Sequence, residues 1–248
     1  MIMNFEQIDQ FKKELDHYRP LPPEVVKNLK AFYLVDWTYH SNAIEGNTLS
    51  LLETKVVIEK GLTIGGKKLE EHFEVMNHTE AIHFIEEQVQ NQTPLTERTV
   101  KDVHHLILKN IDDRNAGRYR SVNVRISGSE HTPPHFLQLD EEMRKLLSWY
   151  DSNKTELHPV QLAALFHFKF VYIHPFSDGN GRTARLLMNL ILMGHGYPPA
   201  IVKAEDNQRL EYYNTLELAS VQNQLVPFIE LIAECVKDSL HNYISMIK

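Results

Sequence analysis

The chain has 248 residues, 42% of them hydrophobic, with only 10 glycines and a formal net charge of −7. That is enough apolar material for one sizeable core, and the scarcity of glycine argues for a helix-rich chain with short connections. No cluster of Lys and Arg stands out, which argues against nucleic-acid binding. The single cysteine, Cys235, excludes an internal disulfide framework and any multi-cysteine zinc site and reads as a buried core thiol.

No apolar stretch approaches the ~20 residues of a membrane span, and the N-terminus lacks a basic segment followed by an apolar run. The chain therefore reads as cytoplasmic, with no membrane partner. Apolar residues Phe5, Ile8, Phe11 and Leu15 predict a first amphipathic helix over 5–18. The run "RPLPPE" breaks it and launches a second helix at Pro23, which ends near Glu45 because Gly46-Asn47 reads as a stop signal. Glu45 then lies in the last helical turn, where a carboxylate faces the negative end of the helix dipole and calls for a cation. Ser50 with Glu53 forms a capping box for a third helix. Gly65-Gly66-Lys67 is a plain turn, since it lacks the spacing and the preceding strand of a phosphate-binding loop. Further helices are expected at about 69–90, after Thr96, and at 140–151, 158–173, 182–193, 210–220 and from 226 onward. Residues 115–139 differ: alternation at Val122, Val124 and Ile126, then a Ser-Gly-Ser-Glu turn, reads as a short β-hairpin flap.

The most informative segment is "HPFSDGNGRTAR", residues 174–185. It places a polar, glycine-rich loop between two strongly apolar helices. Gly179 and Gly181 permit backbone angles that aim successive N–H groups into one concavity, and the following helix adds its positive end. Arg182 sits in the first turn of that helix, where the dipole disfavours a cation unless a polyanion binds between them. Arg185, three residues on, projects from nearly the same face. Asp178 offers an oxygen for Mg2+, which binds through one or two carboxylates together with phosphates. His174 is a candidate general base.

These residues resemble the signature HPFx[D/E]GNGRxxR of the Fic domain adenylyltransferases, and every fixed position is matched. The resemblance implies a mainly α fold, a Fic-type helical bundle with a short β-hairpin flap and an N-terminal helical extension. It implies transfer of AMP from ATP, with Mg2+, onto a hydroxyl of a target protein. In that scheme His174 deprotonates the hydroxyl, Asp178 holds the metal, and the Gly179–Gly181 loop cradles phosphates. Asn180 and Arg182 bind the α- and β-phosphates, and Arg185 reaches the γ-phosphate. A related branch that phosphorylates its targets carries Lys at the position of Gly181, so Gly181 favours AMP transfer.

Ser41-x-x-x-Glu45-Gly46 resembles the family's inhibitory motif, which implies that Glu45 pairs with Arg185 and holds the enzyme off. The flap at 118–135 would dock the target, with Val124 and Ile126 as contacts. Tyr212 and Tyr213 fall on the adenine-side helix, and Ser220 stands where several relatives carry Asn. "AIEGNTLSL", "AGRYR" and "TPPH" extend the resemblance toward the branch that includes a metazoan chaperone-modifying enzyme. The expected division is an N-terminal helical region (1–95, with the inhibitory helix at about 34–46), a catalytic domain (96–235) and a C-terminal tail (236–248). Many relatives dimerise, so a homodimer is an expectation. Two other readings use the same site: removal of AMP, with Glu45 orienting water, and a nucleotide-responsive binding module. The target protein is not legible in the sequence.

Overall fold

The computed structural model describes residues 4–248, and it is helical throughout. The helices are α1 (Glu6–His17), α2 (Pro23–Ile44), α3 (Leu51–Lys60), α4 (Leu69–Gln90) and α5 (Glu97–Leu108), then α6 (Leu139–Asn153), α7 (Pro159–Ile173), α8 (Asn180–Gly194), α9 (Asp206–Gln222) and α10 (Val226–Ile247). Local chemistry sets many of the ends. Ser50 and Glu53 form the expected capping box, with the Glu53 amide on Ser50 Oγ at 3.3 Å and the Ser50 amide on Glu53 Oε2 at 2.7 Å. Pro23 and Pro159 open α2 and α7, where the missing N–H costs nothing. Gly46 ends α2 in the left-handed region at φ +102°.

The helices α7 and α8 form the centre. From Asn180 to Leu192 nearly every residue of α8 is buried, so it is enclosed on all sides, by α7, α4, α5 and α2. Phe166 and Phe170 of α7 join Leu186, Leu187 and Met188 of α8 in one continuous core. Asn189 at the middle of α8 exchanges hydrogen bonds of 2.8 and 2.9 Å with the backbone of Ala200, fixing the segment that leads to α9. On the outside, α10 packs against α1, α9, α7 and α2. It runs unbroken through residue 235, so the expected boundary there falls inside a helix. Cys235 on α10 is half-buried, and burial pushes its thiol up to about 12.

α2 belongs to the same core. Leu29, Tyr33, Trp37 and Ile44 are buried, and Lys203 pairs with Asp36 at 2.8 Å. Its last turns also bury Thr38, His40, Ser41 and Asn42, an unusual polar load for a core helix. Their partners are spread over the neighbouring elements: Thr38 meets His78 and Asn42 the Glu74 carbonyl on α4, His40 the Ala204 amide, and Ser41 meets Arg185 on α8.

The flap departs from the expected hairpin. Among the described residues there is no strand. The arm from Val122 to Ile126 has an exposed or half-buried, non-helical backbone, but the return arm carries Thr132-Pro133-Pro134. Two consecutive prolines supply no N–H, so the cross-strand ladder cannot form. Alternation on one arm describes extended chain, but a ladder needs donors on both.

Candidate functional site

The loop from His174 to Gly179 turns sharply between α7 and α8. His174 ends α7 in the left-handed conformation, at φ 49° and ψ 59°. Pro175 follows, and proline disfavours a helical residue before it. Gly179 also has positive φ, +72°, and is the N-cap of α8. The Asn180 side chain staples the loop from inside: its Oδ1 accepts from the Phe176 amide at 3.0 Å and its Nδ2 donates to the Phe176 carbonyl at 2.9 Å. Among the described residues no acceptor faces the amides of Gly179 to Arg182, which leaves the open end of α8 pointing into the concavity.

Gly181 is helical, so its value lies in space rather than backbone freedom. A Cβ built there would overlap Glu45 Oε1. The Glu45 carboxylate therefore lies against the first turn of α8. Its Oε1 accepts from Arg185 Nη2 at 2.7 Å. The same guanidinium donates from Nη2 to the Ser41 carbonyl at 2.8 Å, from Nε to Ser41 Oγ at 3.1 Å and from Nη1 to Tyr212 Oη at 3.3 Å. Arg185 is 2% exposed. Burial works against its charge, but the Glu45 carboxylate and Tyr212 outweigh that and hold the guanidinium more firmly protonated than usual. So Ser41, Glu45, Arg185 and Tyr212, far apart in sequence, share one network. Tyr213 reaches it from the side, donating from Oη to the Ile44 carbonyl at 3.2 Å.

Arg182 has its own acid. Its Nη1 donates to Glu74 Oε1 of α4 at 2.9 Å, and Asp178 Oδ2 lies 3.5 Å from Nη2. Glu74 Oε2 also accepts from Asn47 Nδ2 at 2.8 Å, tying the turn after Glu45 to α4. The Asp178 side chain is 71% exposed, the most open carboxylate at the loop. Among the described residues no three acidic, His or Cys side chains converge to hold a metal by themselves. A single exposed carboxylate, only loosely paired with Arg182, nonetheless suits Mg2+, which takes its remaining oxygens from phosphates and water.

Burial, reinforced by the nearby Arg120 guanidinium, lowers His174 to about 4. The imidazole is thus neutral near neutral pH and able to accept a proton. Arg120 itself is buried. It donates from Nε to the His174 carbonyl at 2.9 Å, from Nη1 to the Val122 carbonyl at 2.8 Å and from Nη2 to the Pro134 carbonyl at 2.6 Å. One side chain thereby joins both roots of the flap to the loop.

Three positions here escaped the sequence reading. His104 of α5 stacks on Phe176 with ring centroids 3.5 Å apart and planes 2° apart. Its Nδ1 accepts from the Gly117 amide at 2.9 Å, so Nε2 carries the proton and donates to the Asp178 carbonyl at 2.9 Å. Glu74 and Arg120 are the others. Each acts through a partner 54 to 108 residues away, and no local spacing signals such a pair. Val124 and Ile126 lie half-buried on the flap, apart from the arginine network.

Comparisons with known proteins give the family of the chain as a whole. A family described as Fic/DOC matches residues 94–192. A protein from Nematostella vectensis named "Protein adenylyltransferase Fic" is 38% identical over 97% of this chain and 56% of its own length. A protein of the same name from Aedes aegypti is 36% identical over 97% of this chain and 47% of its own. The chain thus spans about half the length of the curated relatives it matches. Among solved structures, a Fic domain containing signaling protein from Bacteroides thetaiotaomicron superposes with a TM-score of 0.88 at 31% identity, covering 98% of both chains. Fic-1 from C. elegans superposes with a TM-score of 0.86 at 32% identity, over 97% of this chain and 71% of that one.

Proposed function

The chain belongs to the Fic/DOC family, and on that premise we propose that it is a protein adenylyltransferase restrained by its own α2 helix. The observation that carries the reading is the 2.7 Å ion pair between Glu45 at the end of α2 and Arg185, the last residue of a segment that matches the family signature at every fixed position.

The reaction follows from the groups present. The neutral His174 takes the proton of a Ser, Thr or Tyr hydroxyl on the target protein. The hydroxyl oxygen bonds to the α-phosphorus of ATP while the bond from that phosphorus to the bridging oxygen breaks, and pyrophosphate leaves. The free amides of Gly179 to Arg182, with the positive end of α8, stabilise the phosphate charge that shifts in this step. Asn180 shapes this cradle through its grip on Phe176. Arg182 and Arg185 hold the departing phosphates. Mg2+ on Asp178 would neutralise phosphate charge when bound. Tyr212 and Tyr213 line the nucleotide side.

Glu45 obstructs this arrangement because Arg185 cannot serve both a carboxylate and a γ-phosphate. A nucleotide that binds beside Glu45 is misaligned, and a misplacement of ~1 Å costs on the order of 100-fold in rate. Since α2 is part of the core, release takes place by a swing of the Glu45 side chain, which is 31% exposed, while Trp37 and Ile44 stay buried. Residues 1–95 then act as the regulatory region and 96–235 as the catalytic one, with 236–248 as the tail of α10.

Replacing Glu45 by Gly and following AMP incorporation from labelled ATP tests the reading. A gain in self- or target modification supports it, and no gain sinks the restraint. A second reading, removal of AMP from a modified target, draws on Glu45 Oε2, which has no partner among the described residues and is free to orient a water. Incubating modified protein with the unaltered chain and Mg2+ separates the two.

The flap supplies the acceptor side. No amide from Val122 to Ile126 donates to another group of the described residues. That free edge suits an extended target segment added as a strand, with Val124 and Ile126 beside it. Among the described residues no helix is long and apolar enough to cross a membrane.

A further inference from the structure

The flap tip is fastened to a helix that also serves the nucleotide side. Glu217 of α9 accepts the Glu130 amide on Oε1 at 2.8 Å and the Ser129 hydroxyl on Oε2. Ser129 Oγ accepts in turn from the His131 amide at 3.1 Å, and the Ser129 amide closes the turn on the Ile126 carbonyl at 3.2 Å. Next to it, His131 donates from Nε2 to the Tyr172 carbonyl at 2.8 Å and packs on the Tyr172 ring at 4.0 Å. Tyr172 is two residues before His174. So the tip has two fixings, one to α9 and one to the end of α7, while Arg120 holds the roots.

Glu217 lies four residues after Tyr213 and therefore on the same face of α9. Tyr213 bonds the Ile44 carbonyl, and Tyr212 bonds Arg185. One helix thus touches the phosphate-binding arginine, the end of the restraining helix and the flap. A charge-assisted pair of hydrogen bonds to the turn is among the stronger contacts a half-exposed loop can make.

We propose that Glu217 is a positioning residue for the acceptor side of the reaction. Its carboxylate latches the flap turn to α9, so that the free edge at Val122 to Ile126 is held beside His174 before a target arrives. Pre-ordering the edge lowers the entropy cost of docking an extended segment. Losing the latch weakens capture of the acceptor and leaves the nucleotide cradle in place. The positioning role rests on the transfer reading above, but the latch itself can be measured without it.

The test uses the full chain with Glu217→Ala and Glu217→Gln, each alone and combined with Glu45→Gly. Amide hydrogen exchange should rise about 10-fold at residues 126–132 in Glu217→Ala, with less change in Glu217→Gln, which keeps one acceptor oxygen. In the Glu45→Gly background, AMP incorporation is measured while the concentration of a total soluble protein extract and the concentration of ATP are varied separately. The expected result is a half-saturating acceptor concentration raised about 5-fold by Glu217→Ala, an ATP dependence unchanged within about 2-fold, and partial rescue by Glu217→Gln. Unchanged exchange at 126–132 overturns the latch. Acceptor and ATP dependences that worsen together, with a lowered melting temperature, overturn the positioning role in favour of general damage. If Glu45→Gly incorporates no AMP at all, the transfer reading falls and the positioning role with it, while the exchange data still report the latch.

Discussion

Residues 174–185 and residues 118–135 meet at His174, where Arg120 holds both, and differ in what they add to that shared anchor. The 174–185 loop is mostly buried, with Ser177 and Asp178 exposed; Asn180 staples it to Phe176 from inside, and Arg120 and His104 hold its His174 and Asp178 carbonyls. The flap is largely exposed and hangs on side chains of distant elements, with Arg120 at its roots and Glu217 and His131 at its tip. On the proposed function, the chemistry falls to a short stretch with an internal staple. On the same proposal, recognition of a partner falls to extended chain with unpaired amides and a few adjustable anchors. The difference teaches where a substitution should be felt. Changes in the loop act on rate, and changes in the flap act on the choice and capture of the acceptor.

The largest break in that division comes from His174→Ala. It should lower AMP transfer on the order of 1000-fold, the middle of what a general base contributes, with ATP binding by calorimetry little changed. With His174 at about 4, the acid limb of kcat/KM should fall near pH 4 instead of near the ordinary His value of about 6.5. The sign is fixed because the neutral ring is the active form, so activity is lost as pH falls through the folded value. A limb near 6.5 would show that the ring is solvated before the target binds.

Next is Glu45→Gly, expected to raise incorporation from labelled ATP by about 100-fold, the reverse of a ~1 Å misplacement. Arg120→Ala is expected to cross the boundary between the two regions. It leaves the carbonyls of His174, Val122 and Pro134 without their donor. A loss of about 3 kcal/mol and of about 6–12 °C in Tm should accompany lowered activity, read by calorimetry and AMP incorporation. The smallest effect belongs to Val124→Asp. It should weaken acceptor dependence by about 3- to 10-fold at constant ATP dependence and constant Tm, because a charge is placed beside the docking edge.

Stability should also depend on pH. Burial holds His104 at about 4 and His167 at about 3. Both are depressed, so the unfolded chain binds the extra protons once pH drops below about 6.5, and stability falls from there down through the folded values. A urea midpoint that declines between about pH 6.5 and about pH 4 would reflect these rings together with His174.

The two regions were also unequally legible in the sequence. The loop could be read because His174, Asp178, the glycines and both arginines lie within one short stretch. Helix ends such as Ser50 with Glu53, or Gly46, are local signals too, and α4 begins and ends where the periodicity placed it. The network around Arg185 was reachable only through family resemblance, since Glu45 is 140 residues away. Glu74, His104, Arg120 and Glu217 were missed for the same physical reason: each is defined by a partner that folding brings near, and nothing in its immediate neighbours marks it. Gly181 was noticed for the wrong property, backbone freedom, when its missing side chain is what makes room for Glu45. The hairpin was over-read because Val122, Val124 and Ile126 describe one arm well, while Pro133 and Pro134 on the other arm withhold the donors a second strand needs.

The arm at Val122 to Ile126, whose amides have no partner among the described residues, also carries a hazard. An edge that can accept a strand from a target can accept the same edge of another molecule, which is how soluble proteins begin to aggregate. Arg125 stands exposed in the middle of the arm. Two such arms brought together would set like charges close to one another, which disfavours pairing. Gly128 and the prolines keep the arm short. On the proposed docking role, the arm that is left open to a target is the one whose exposed charge disfavours pairing with itself.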